Sequence, residues 1–425
     1  MKALVFATVI LGLSHALPQN RLPSVVDSSA FIGSMAKFAE TLYAKLETEE
    51  NAVFSPFSLH MALTMLSSAA SKESPTQTEL LSLLGELQNI EHLESKYGKL
   101  ITEYNGLNDT FLFGNKVWLS SDFKIKPSYN DTIGMLLNGS VEVLPANLNE
   151  AVARINNWAS DVTKGKIPKL FDSLSQDTRA VLTNAIYFKD AWTIPFDEYE
   201  GEPTFTLIDG KTIGASDGLK MMSRTSYEFG RTKFTLEGLK NVEFQAVTIP
   251  YKAMFGDRFE MVIVMPTGPQ NAIQFLDQAI KTNVNRFGDT NGGNWFLDKL
   301  FKELGKSGVH SEEINLVMPE FQVASKFSVA GALKQLGVQG IFNDGEFDSI
   351  SDEPLKVSDI IHRAIIEVDK EGTVGAAATG IELVPLSGAF LEPELLIINQ
   401  PFVFLIRDIK ENVILFYGKV INPIS

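Results

Sequence analysis

Cysteine is absent from all 425 residues. No disulfide can brace the fold and no thiol can serve as a nucleophile, so cohesion must come from buried apolar surface, which a chain of this length can supply. Positive charge is scarce too: 37 Lys and Arg face 52 Asp and Glu, a formal charge of −15. That balance argues against nucleic acid or any other polyanion as a partner held by the overall field. The stretch Thr76 to Tyr104, read as one helix, carries Glu79, Glu86, Glu91, Glu94 and Glu103 against Lys96 and Lys99, the pattern of a solvated acidic face. Beyond the N-terminus no apolar run approaches the roughly 20 residues that span a bilayer.

The usual signatures of chemistry are missing as well. There is no His-Glu-x-x-His pair, no Gly-x-Ser-x-Gly elbow and no phosphate-cradling Gly-rich loop. His60, His92, His310 and His362 lie at no metal-ligand spacing, so neither a metal nor a cofactor is expected. A Ser-His-Asp triad is defined by geometry and stays open at this level, but nothing points to one, and the chain is read as not an enzyme. His362, between Ile360-Ile361 and Ala364-Ile365-Ile366, reads as a buried core histidine that needs a polar partner.

What is present begins with Lys2, the apolar stretch Ala3 to Leu13 and Ser14-His15-Ala16, the charged, hydrophobic and small-residue order of a secretory signal. Cleavage after Ala16 is expected, giving a secreted, extracellular product of residues 17–425. Three acceptor sequons at Asn108, Asn130 and Asn138 fit that route. Helical spacing is clear from Ala30 to Leu46, from Ser58 to Ala70 and from Glu150 to Thr163. From Thr110 onward short strands dominate, among them Phe111 to Leu119, Arg179 to Phe188, Phe244 to Pro250 and Phe259 to Pro266. The class is α+β. No repeat and no boundary-length linker divides the chain, so one large domain is expected; Asn283 to Gly293 reads as a surface insertion.

One segment stands apart. Residues 367–387 run from a strand-like start through Gly372-Thr373-Val374-Gly375-Ala376-Ala377-Ala378-Thr379-Gly380 to Val384-Pro385-Leu386-Ser387. The run from Gly372 to Gly380 carries no charge and nothing larger than Val. It reads either as a Gly/Ala linker or as a strand small enough to enter a crowded sheet.

Several blocks decide the context. Asn51-Ala52-Val53-Phe54-Ser55-Pro56-Phe57-Ser58-Leu59, Asn184-Ala185-Ile186-Tyr187-Phe188-Lys189-Asp190-Ala191-Trp192, Val247-Thr248-Ile249-Pro250-Tyr251, Met318-Pro319-Glu320-Phe321 and Asn399-Gln400-Pro401-Phe402-Val403-Phe404 occur in order and at characteristic spacing. Together they resemble the serpin superfamily over about residues 30–425, with the insertion and the lack of Cys resembling arthropod secreted members. The resemblance implies three β-sheets with eight or nine helices and an exposed reactive-centre loop at about 370–393. It implies that Ser55, Ser58, Asn184 and His362 form the polar cluster where the main sheet must part, and that Trp192 sits at the top of that sheet. By family counting, Gly372, Thr373, Val374, Gly375, Ala376, Ala377 and Ala378 are the hinge, and Leu386-Ser387 is the bond attacked.

The implied activity is suicide inhibition of an extracellular serine protease through a covalent acyl complex, by a monomer without cofactor. Leu386 implies chymotrypsin-, cathepsin G- or elastase-like targets. The acidic helix argues against heparin activation. The hinge carries none of the bulky, charged or proline residues typical of non-inhibitory relatives; Lys370, Val374, Gly375 and Asp190 depart from the commonest family residues. A serpin-fold carrier, storage or chaperone protein is the alternative reading.

Overall fold

Proline and serine mark where several helices begin. Ser55 and Ser74 each offer Oγ to a backbone N–H one turn on, at Ser58 and Gln77, and Pro56, Pro75 and Pro127 occupy first helical positions where a missing N–H costs nothing. The helices of the computed structural model include α1 (Ser28–Lys45), α2 (Pro56–Ala69), α3 (Pro75–Leu83), α4 (Ile90–Asn105), α5 (Pro127–Leu137), α6 (Leu148–Val162), α7 (Phe296–Leu304) and α8 (Ala330–Gln335). The structure describes residues 28–46, 49–85, 90–107, 110–236, 242–252, 258–267, 273–274, 276–278, 280–281, 295–305, 310–343, 345–373 and 393–425.

The first strands are β1 (Ala52–Phe54), β2 (Phe111–Leu119), β3 (Gly139–Val143), β4 (Ala180–Phe188), β5 (Asp190–Ala191), β6 (Asp197–Glu198), β7 (Thr204–Thr206), β8 (Thr212–Gly214) and β9 (Met221–Thr235). There follow β10 (Glu243–Pro250), β11 (Phe259–Pro266), β12 (His310–Pro319), β13 (Phe321–Ser328), β14 (Val357–Asp369), β15 (Gly372–Thr373), β16 (Glu394–Ile397), β17 (Phe402–Asp408) and β18 (Val413–Val420). Among the described residues they form three sheets of nine, seven and two strands. The expected α+β class and three-sheet architecture are what the chain adopts.

The seven-stranded main sheet positions the site. Its order runs β3-β2-β4-β14 with β13 outside, and β4 and β14 are parallel neighbours from Val357↔Ala180 to Ile365↔Tyr187. Every residue of β4 is buried, which explains its nearly unbroken apolar sequence. One face packs under α6 through Trp118, Ile155, Val181, Ala185 and Ile361. The other faces the main core, where Phe57 meets Tyr97, Tyr104, Phe111 and Phe113 at ring separations of 5.5 to 5.7 Å.

Two expectations need correction. The helix anticipated from Thr76 to Tyr104 is two helices, because Gly85 ends the first with φ +77, a conformation that favours glycine. Nor is the α4 face wholly solvated: Lys96 is buried and pairs with Glu411 at 2.9 Å.

Candidate functional site

The seam between β4 and β14 is closed over a polar cluster in an otherwise apolar interior. Ser55 ends β1 in extended backbone before α2, and its N–H donates to His362 Nε2 at 3.0 Å. Since that nitrogen accepts, Nδ1 carries the ring proton, which it donates to Asn184 Oδ1, directly across the seam. The Asn184 amide donates in turn to the Ser58 carbonyl at 3.1 Å, and also to Ser58 Oγ and Asn115 Oδ1. All five residues are buried, and burial holds His362 down at about 3, neutral at physiological pH. Ser55, Ser58, Asn184 and His362 thus lie together at the seam. Asn115 was missed, although an asparagine inside Phe-Leu-Phe-Gly-Asn-Lys-Val-Trp-Leu demands a partner and was a legible signal.

Beyond Tyr187 and Ile365 the two strands diverge and leave a fork. Trp192 lies there, fully buried and stacked on Tyr251 at 4.5 Å and 16°. Its indole N–H donates to the Asp369 carbonyl at 2.9 Å and its backbone N–H to the Glu371 carbonyl at 3.0 Å, so one residue grips both sides of the turn after β14. Asp369 Oδ1 closes that turn by accepting from Glu371 N at 2.8 Å and Gly372 N at 3.1 Å.

The chain then enters the fork. Gly372 and Thr373 form β15, antiparallel to β14 on one side and to β5 on the other, with Val368↔Thr373↔Asp190 and Asp369↔Gly372↔Ala191 in register. Gly372 has φ +154, and a Cβ there would meet the Asp190 carbonyl oxygen at 2.3 Å, so only glycine fits. Thr373 is fully buried, its hydroxyl 2.6 Å from that of Tyr251. The sequence reading had this segment still outside its sheet; the structure has its first two residues already inside. Tyr251 closes the Val247–Tyr251 block, but local sequence does not mark it as the partner of Thr373.

The remaining hinge residues Val374, Gly375, Ala376, Ala377 and Ala378, the bond Leu386-Ser387, the Asn283 to Gly293 stretch, Asn108 and the segment before Ala16 lie outside the described residues. The chain resumes beside β12 as β16, an edge strand clamped by Arg231, which donates to both Glu394 carboxylate oxygens at 2.7 and 2.8 Å. Of the sequons, Asn138 is exposed in left-handed backbone after α5, whereas Asn130 is half-buried and accepts from Val141 N at 2.8 Å.

A two-sided gap in a main sheet, with the incoming strand already started, can be compared with known proteins. The family profile described as Serpin (serine protease inhibitor) matches residues 33–423. The chain belongs to the serpin family. Among curated relatives this serpin is 29% identical to Serpin-Z1B of Triticum aestivum over 389 residues, covering 88% of this chain and 90% of that one. It is 28% identical to Iripin-2 of the tick Ixodes ricinus over 382 residues, 88% of each. The solved structure of Serpin48 from the insect Tenebrio molitor superposes with a TM-score of 0.76 at 22% identity, covering 94% of this chain and all of that one. Such a likeness defines the fold; members of the family are generally inhibitors rather than enzymes.

Proposed function

We propose that this serpin is a secreted, monomeric, single-use inhibitor of an extracellular serine protease with an apolar primary pocket. The observation that carries the reading is β15: the hinge enters the fork with small side chains and hydrogen-bonds on both edges before any cleavage. Charged or bulky residues could not take that place, and the sequence continues with Val, Gly and Ala.

The chemistry belongs to the protease. Its serine Oγ attacks the carbonyl carbon of Leu386, its histidine passes the proton to the leaving nitrogen, and the Leu386–Ser387 bond breaks, giving an acyl ester and a free Ser387 amine. Residues 374–386 then extend β15 between β4 and β14. At about 3.3 Å per residue those thirteen residues carry the ester roughly 43 Å along the sheet, away from the fork. The displaced protease is distorted and the ester persists. Leu386 suits a chymotrypsin- or elastase-like pocket, whereas a pocket with a buried Asp would leave that charge unpaired.

Incubation with chymotrypsin and with elastase, followed by denaturing electrophoresis, tests the reading. A boiling-resistant complex and a released fragment beginning at Ser387 are expected. Cleavage at that bond with no complex would instead establish a substrate, and with it the carrier or storage alternative.

A further inference from the structure

Asp190 is the misfit at the fork. It lies directly across from Thr373 on a two-residue strand, and its Oδ1 accepts from Ala191 N at 2.9 Å. Oδ2 is buried and has no hydrogen-bond partner among the described residues. The adjoining elements carry charged residues: Lys189 beside it in sequence, Asp369, Lys370 and Glu371 in the turn before β15, and Lys252 after Tyr251. None forms an ion pair with it among the described residues. Tyr251 is the titratable neighbour that feels its charge, and the Tyr251 hydroxyl is already engaged by Thr373.

We propose that Asp190 is a positioning residue that makes the seat of the loop root depend on protons: as a carboxylic acid it keeps Gly372 and Thr373 in the sheet, and as a carboxylate it favours their withdrawal. The physical cause is desolvation. With β15 in place Oδ2 of the half-buried carboxyl group is cut off from water, and the pKa rises to about 6. Withdrawal of β15 readmits water and lets the pKa fall back toward the ordinary carboxylate range. Seating the root therefore takes up a proton, and the seated form gains as pH falls, by about tenfold for each unit separating the two pKa values. The protonated group also gains an O–H donor for the atom that now lacks a partner. Near neutral pH the seat of Gly372 and Thr373 is therefore weaker than in acid, though β15 remains the starting point of the strand.

The consequence for inhibition rests on the proposed inhibitory role, but the position of the root does not. Because the chain has no cysteine, Val374→Cys gives a unique thiol for an environment-sensitive fluorophore, and Lys124→Cys on the exposed surface corrects for the dye's own response. Between pH 4 and 8 the hinge label should show one transition, lying between the ordinary carboxylate range and about pH 6 and complete above it. In the Asp190→Asn background, and in Asp190→Ser as a second neutral variant, the signal should stay flat at its acid value; Asp190→Glu should restore a transition. A flat signal with native Asp190, or an unchanged transition in the neutral variants, overturns the proposal. A normal transition without a covalent complex would sink the inhibitory role alone.

Discussion

Single residues in this serpin carry opposite dependences on pH. Glu40 in α1 is fully buried; its Oε1 accepts from Leu297 N at the start of α7, while Oε2 finds no partner among the described residues. Burial lifts its pKa from 4.5 to about 8. The folded chain thus keeps a proton that the unfolded chain releases above about pH 4.5, and stability is lost as pH rises from there through 8. Glu40→Gln preserves the acceptor for Leu297 without a charge. Its thermal midpoint should exceed that of the unmodified chain at pH 8, for a stability difference on the order of 4 kcal/mol, and the two should converge near pH 4. His362 acts in the other direction: its lowered value means that acid favours the unfolded chain, with stability present above about pH 6.5 and lost as pH falls toward 3.

Among the elements, β15 gives the sharpest test. Thr373→Arg would place a guanidinium where no exposed surface remains, against Tyr251, at a cost of several kcal/mol if it stayed seated. The variant should be cleaved at the normal rate yet yield little covalent complex, so the ratio of cleaved inhibitor to trapped protease rises severalfold on a denaturing gel. Unchanged stoichiometry would mean that the hinge lies elsewhere. Elements also mark what the sequence could tell. Phe111–Leu119 and Phe259–Pro266 were readable to the residue because apolar runs end at turn residues. The seating of β15 was not, because it depends on whether two distant strands diverge after Tyr187 and Ile365, a tertiary competition that local pattern does not record. The polar cluster was legible through resemblance, and Asn115 only through the rarity of an interior asparagine.

For the whole molecule, the proposed mechanism requires the parallel β4–β14 ladder to part. An inserted strand would break the His362–Asn184 link across the seam but add antiparallel hydrogen bonds along two edges, so the intact fold would be metastable with respect to the inserted one. Chain cut at the reactive bond should therefore unfold at a markedly higher temperature than intact chain, as read by circular dichroism. Equal midpoints would mean that the loop stays outside the sheet. On the proposed mechanism the clamp from Arg231 to Glu394 would guard the same balance, since it ties β16 to the sheet beside β12. The two-residue β15 also bears on time. A strand joining a sheet is slowest at its first rungs, where chain entropy is lost before pairing compensates it. Here those rungs already exist, so on the proposed mechanism insertion after the cut would be all propagation, and hydrolysis of the ester would enter the race already behind.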